Sequence, residues 1–165
     1  MIAIAQPRIE FGTRAEAREK EIKRCLKMNP TYILMMDSDQ TMPIRGLNAM
    51  INTGADISCI DAPSKGRDDS NVRCHPNGDL YIATISCCLI KPYIFKFLEE
   101  PWFNSKVAVI EERVKDGKII YRYEQKYQDD NVGEDAYFIR KAIEAGFRVE
   151  VVSNMKCKHF DLEAI

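Results

Sequence analysis

The sequence predicts an α/β fold, a mixed and mostly parallel sheet flanked by helices, and three features carry that expectation. Short apolar runs alternate with amphipathic stretches through the first third of the chain, the order expected of β-α units with parallel strands. The run Tyr32-Ile33-Leu34-Met35-Met36 is apolar without a break, which marks a strand buried on both faces. Asp116-Gly117, between two β-prone stretches, marks a hairpin inserted near 107–123.

The elements follow in order. A short apolar run over 1–5 ends at Gln6-Pro7 and reads as a strand; after Gly12-Thr13, Ala15, Ile22 and Leu26 recur at near-helical spacing over 14–28. Asn29-Pro30 stops that helix, and a strand over 31–36 delivers Asp37 and Asp39. After Pro43, Leu47, Met50 and Ile51 predict a helix that Asn52-Thr53-Gly54 closes before a strand over 56–60. The stretch 62–78, with Pro63, Gly66, Pro76 and Gly78, reads as a long loop. Residues 80–90 are β-rich, and Pro92 opens a helix through Leu98. Hairpin strands are expected over 107–114 and 118–123. Gly133-Glu134-Asp135 precedes Tyr137, Ile139, Ala142 and Ile143, an amphipathic helix that Gly146 ends before a strand over 148–152.

Length and composition bound the rest. At 165 residues the chain fits one domain, 1–165, large enough for a core without staples. Hydrophobic content of 45% and charged content of 30% are ordinary for a globular protein, and a net charge of -1 argues for neither nucleic acid nor an anionic membrane. Cys25, Cys59, Cys74, Cys87, Cys88 and Cys157 form no compact framework, which predicts reduced thiols and a cytoplasmic protein. No stretch has the apolar length of a membrane span, and the first residues lack the pattern of a signal peptide.

Three polar groupings are candidates for chemistry. Asp37-Ser38-Asp39 places two hard oxygen ligands where a strand leaves the sheet, the place where open α/β folds bind ligands and where Mg²⁺ or Mn²⁺ could be held with a substrate's phosphates. The same tripeptide also suits a turn or a helix cap. Glu134 and Asp135 stand at a helix N-terminus, where acids are favoured whatever the function. His159 is open between an ordinary histidine, a zinc ligand with Cys74-His75, and a partner of the acids.

Taken in order, Asp37-Ser38-Asp39, the segment Ala83-Thr84-Ile85-Ser86-Cys87-Cys88 followed by Pro101-Trp102-Phe103, the run 133–147 and then His159 resemble a GT-A fold glycosyltransferase of family 2. The resemblance spans about 14–160 and implies a GT-A-like sheet. It implies that Asp39, with Asp37 and His159, ligates Mn²⁺ or Mg²⁺ on the diphosphate of a UDP- or GDP-linked nucleotide-sugar donor. It further implies that Asp135 is the base that deprotonates a carbohydrate or other hydroxyl acceptor, that Glu134 beside it orients the acceptor, and that transfer inverts the anomeric centre. Arg18 and Arg14 lie on the helix before Asp37, near the nucleotide; each is open between a phosphate contact and a solvated helix face. Lys65, Arg67 and Arg73 are candidate contacts for a diphosphate or an anionic acceptor. Trp102 is open between an acceptor contact and the core.

The family places two β-α units for the nucleobase before the Asp-x-Asp strand, whereas 36 residues stand there in this chain, so donor recognition is abbreviated. Ala83, Ile85 and Ser86 stand where related sequences carry glycines, which would narrow the pocket. A sheet edge left by a missing unit would be covered by a second copy of the chain. Against the transferase stand a non-catalytic nucleotide- or partner-binding domain of the same fold, a structural scaffold and a nucleotidyltransferase.

Overall fold

The computed structural model describes residues 1–7, 13–63, 70–74, 78, 80–104, 107–115, 118–125 and 133–160, with the backbone alone at 73, 81–82, 107–115 and 118–125. The elements are β1 (Ile2–Ala5), α1 (Arg14–Leu26), β2 (Tyr32–Met36), β3 (Gln40–Thr41), α2 (Gly46–Thr53), β4 (Ile57–Asp61), β5 (Arg73–Cys74), β6 (Leu80–Ile82) and β7 (Cys87–Ile90). A 3-10 helix (Pro92–Lys96), β8 (Val107–Lys115), β9 (Lys118–Gln125), α3 (Glu134–Glu144), β10 (Val149–Lys156) and β11 (Lys158–His159) follow.

Five strands form the main sheet in the order β1-β2-β7-β4-β10. β1 pairs parallel with β2 and β10 parallel with β4, while β7 runs antiparallel to both its neighbours. The sheet is therefore mixed, with a single reversed strand inside four parallel ones. Its strands alternate between two cores, as the two-residue period of a strand requires. Ile33, Met35, Ile57, Cys59, Cys88 and Ile90 face one core with Ile22 of α1 and Phe138 and Ile139 of α3. Leu34, Ile60, Cys87 and Leu89 face the other, with Met50 of α2. Because both faces are covered, β2 and β7 read as unbroken apolar runs, and β4 is buried throughout although it carries Ser58 and Asp61.

Several expectations shift at their edges. The helix expected through Leu98 is a 3-10 turn ending at Lys96, although Phe97 and Leu98 still donate their N–H groups to Ile94 O at 3.0 and 3.1 Å. Short Pro-led connections commonly take this tighter form. The β-rich stretch divides into β6 and β7, because Ala83 and Ile85 turn fully into the core instead of lining an opening. The hairpin forms as β8 and β9 in antiparallel register, Lys115 opposite Lys118; its Asp116-Gly117 turn lies outside the described residues. β10 runs four residues past the expected end, because a register shift between Val151 and Lys156 lets it keep pairing with β4. Gly54 closes α2 at φ +67°, the left-handed geometry for which glycine is suited.

None of the six cysteines is bonded to another; Cys74 is exposed and the other five are buried. No helix among the described residues is long and apolar enough to cross a membrane.

Candidate functional site

α1 begins with a reciprocal cap. The Glu16 N–H donates to Thr13 Oγ1 at 3.2 Å and the Thr13 N–H donates to Glu16 Oε2 at 2.7 Å. A cap of this kind is worth about 1 kcal/mol and fixes the first turn. Arg18 follows on the stripe that carries Ala15, Ile22 and Cys25 into the sheet, and it is 1% exposed. The expectation of a solvated helix face for Arg18 is therefore corrected: its place on the buried stripe takes it under the protein. Arg14, one turn earlier and on the rim, remains 61% exposed, with Nε at 3.7 Å from Glu134 Oε1.

The buried guanidinium meets two carboxylates from distant elements. Arg18 Nε donates to Glu134 Oε1 at 3.0 Å, and Arg18 Nη2 lies 3.4 Å from Asp37 Oδ1. Asp37 stands where β2 leaves the sheet, its N–H donating to Ser86 O at 2.9 Å. Glu134 and Asp135 form the first turn of α3, which Gly133 opens without any side-chain cap. A Cβ on Gly133 would lie 2.3 Å from Asp135 Oδ1, so glycine leaves the space that this carboxylate occupies. Asp135 Oδ1 accepts the Ala136 N–H at 3.0 Å. Burial, with the neighbouring Glu134 charge, pushes the Asp135 carboxyl above the usual range; Arg18 pulls the other way. Glu134 itself is turned inward, onto Arg18.

The second half of the site is built by β3 and β11, an antiparallel pair that joins the chain after Asp39 to its last described residues. His159 stands opposite Gln40 and Lys158 opposite Thr41, and the Phe160 N–H donates to Asp39 O at 3.0 Å. That register brings His159 Nδ1 to 3.5 Å from Asp39 Oδ2. Gln40, 3% exposed, contacts His159 Nε2 through its own Nε2 at 3.4 Å. Sequence reasoning passed Gln40 over. Its only signal was its place beside Asp39, since a two-residue bridge has no periodicity to read.

Asp37, Asp39 and His159 do not gather into one ligand set. Among the described residues no group of three His, Cys, Asp or Glu side chains could hold a metal ion. Asp37 faces Arg18, and Asp39 faces His159. The pair nevertheless suits a cation completed by phosphate oxygens. His159 Nδ1 and Gln40 Oε1 are buried without a hydrogen-bond partner among the described residues. A ligand on Nδ1 would leave the proton on Nε2, and Gln40 can serve either tautomer by turning its amide over.

Other candidates fall elsewhere. Trp102 is core: it is 5% exposed, donates Nε1–H to Leu98 O at 3.0 Å and packs on Phe95 at 4.7 Å between ring centroids. Lys65, Arg67 and His75 lie outside the described residues, as does the side chain of Arg73. A cavity of about 860 Å³ runs along the outer face of α1, lined by Glu16, Glu19, Lys23 and Phe103 among others, and is not lined by any of these acids or His159.

No protein-family model matches the chain, and no curated protein does. Among solved structures, the chain is similar to the crystal structure of A197 from STIV, with 18% identity and a TM-score of 0.60 over 93% of this chain and 70% of that one. At that identity the likeness is one of fold, a mixed α/β architecture.

Proposed function

We propose that the chain is a metal-dependent glycosyltransferase of the GT-A type, resembling family 2, that moves a sugar from a UDP- or GDP-linked donor to a hydroxyl acceptor with inversion. One observation carries the reading: carboxylates from the end of β2 and from the first turn of α3 share a buried guanidinium, while Asp39, two residues on, meets His159. Asp37 and Asp39 have Cα atoms at most about 7 Å apart, so both halves border one region outside the end of β2, where open α/β sheets bind ligands.

In this reading Asp39 and His159 would hold Mn²⁺ or Mg²⁺ together with donor phosphate oxygens, and Asp37 would face the ribose or a bound water. The cation, when bound, neutralises charge on the departing diphosphate. The residues do the rest. Asp135 accepts the proton of the acceptor hydroxyl as that oxygen bonds to the anomeric carbon. The bond from that carbon to the donor's phosphate oxygen breaks on the opposite face, and its electron pair leaves with the nucleoside diphosphate. A carboxyl held above its usual range is the better base for this step.

The test is turnover of UDP- and GDP-sugars with and without Mn²⁺. Asp39→Ala should cut Mn²⁺-dependent transfer or hydrolysis by about a hundredfold or more. Unchanged Mn²⁺-dependent turnover in that variant contradicts the metal assignment. Calorimetric binding of UDP or GDP with Mn²⁺ but no turnover would instead support a non-catalytic nucleotide-binding domain.

A further inference from the structure

Among the described residues Arg18 heads the fully buried side chains in volume, yet it is a charge on a helix whose other inward residues are apolar. Removing a guanidinium from water costs several kcal/mol, and its partners return that cost only when the geometry is good. Here one edge of the guanidinium is divided, Nε serving Glu134 at 3.0 Å and Nη2 serving Asp37 at 3.4 Å. The third nitrogen, Nη1, is buried with no partner among the described residues. An arrangement for stability alone would pair the fork with one carboxylate, or replace it with an apolar residue. The first turn of α3 has no side-chain cap, and the Arg18–Glu134 bond ties it laterally to α1. Asp135 is the next residue on that turn.

Resting on the transferase reading, we propose that Arg18 is a positioning residue: its guanidinium yokes Asp37, on the donor side, to Glu134, on the acceptor side, and so fixes where the Asp135 carboxylate stands. A lysine could keep the charge and not the yoke, because an ammonium is a point charge without the rigid fork that reaches two acceptors on separate elements. Arg18 also supplies the buried positive charge beside Glu134 and Asp135, the exposed Arg14 being screened by water.

Two measurements separate charge from geometry. In substrate-free protein the Asp135 carboxyl is titrated by ¹³C NMR, its signal assigned with Asp135→Asn. Glu134→Gln should lower the Asp135 midpoint, and Arg18→Met/Glu134→Gln should raise it again. The double variant removes the buried cation together with Glu134, its more buried partner, and leaves only the partly exposed Asp37, so it should fold where Arg18→Met alone strands the buried Glu134 charge. Arg18→Lys should then lower kcat about tenfold to a hundredfold, with KM for the donor nearly unchanged, as expected when a positioned group is displaced. An Asp135 midpoint equal in Glu134→Gln and the double variant overturns the proposal, as does wild-type kcat in Arg18→Lys. Absence of turnover in the unmodified protein would defeat the transferase reading instead, and the substrate-free titration would still decide whether Arg18 acts on Asp135.

Discussion

The two halves of the site are built on opposite terms. Around Arg18 the carboxylates of Asp37 and Glu134 are tied to a cation that the protein supplies and encloses. Around His159 the Asp39 side chain is 40% exposed, and two buried polar atoms, His159 Nδ1 and Gln40 Oε1, have no hydrogen-bond partner among the described residues, Nδ1 having only the 3.5 Å contact to Asp39 Oδ2. Buried polar groups are nearly always paired, so the unpaired ones point to where something external is meant to bind. The first half leaves one such atom, Arg18 Nη1, but pairs its other two guanidinium nitrogens with carboxylates of the protein itself, and in the proposed reading it is scaffold and acid-base machinery. The second is short of partners and reads as the ligand side.

That contrast can be broken first at Asp135. Burial and the Glu134 charge raise its carboxyl, so the folded protein binds that proton more tightly than the unfolded chain does. The contribution to stability is thus full below the unfolded value, about pH 3.9, and is lost as pH rises through the raised native value. Asp135→Asn should reduce transfer by about 10²–10⁴-fold while raising Tm near neutral pH, with no gain near about pH 3. Equal gains at both pH values would mean that the carboxyl is not raised.

On the ligand side, Gln40→Ala removes the group that orients His159. It should weaken Mn²⁺ binding about 10–100-fold in calorimetry and leave the Asp135 titration untouched. Coupling between the two would dissolve the contrast. The smallest effect is expected from Gly133→Ala. Its backbone, at φ −59° and ψ 151°, suits alanine, so the added methyl acts only by turning the Asp135 carboxylate aside. Transfer should fall about tenfold with little change in thermal unfolding.

The legible parts of this molecule were those with periodicity. β2 is legible as an unbroken apolar run because both sheet faces are covered, β7 lies in a β-rich stretch, and α1 and α3 show near-helical apolar spacing. The contacts that assemble the site left weaker marks. β3 and β11 are two residues each, and nothing in the sequence joins Gln40 to His159 across the chain. Arg18 misled because a charged residue on an amphipathic helix is usually solvated, although its spacing from Ala15 and Ile22 already placed it on the inward stripe. Glu134 and Asp135 read as helix-start acids and are that; the burial of Glu134 on Arg18 required tertiary structure to see.

The claim that the two halves border one ligand site is tested most directly by paramagnetic broadening. Trace Mn²⁺ added with UDP to ¹⁵N-labelled protein should broaden the Asp39, Gln40 and His159 amides most and the Asp135 and Ala136 amides next. Tyr93 and Gly54, at the other end of the sheet, should stay sharp, and Asp39→Ala should abolish the effect. Broadening centred elsewhere, or persisting in Asp39→Ala, would contradict the account.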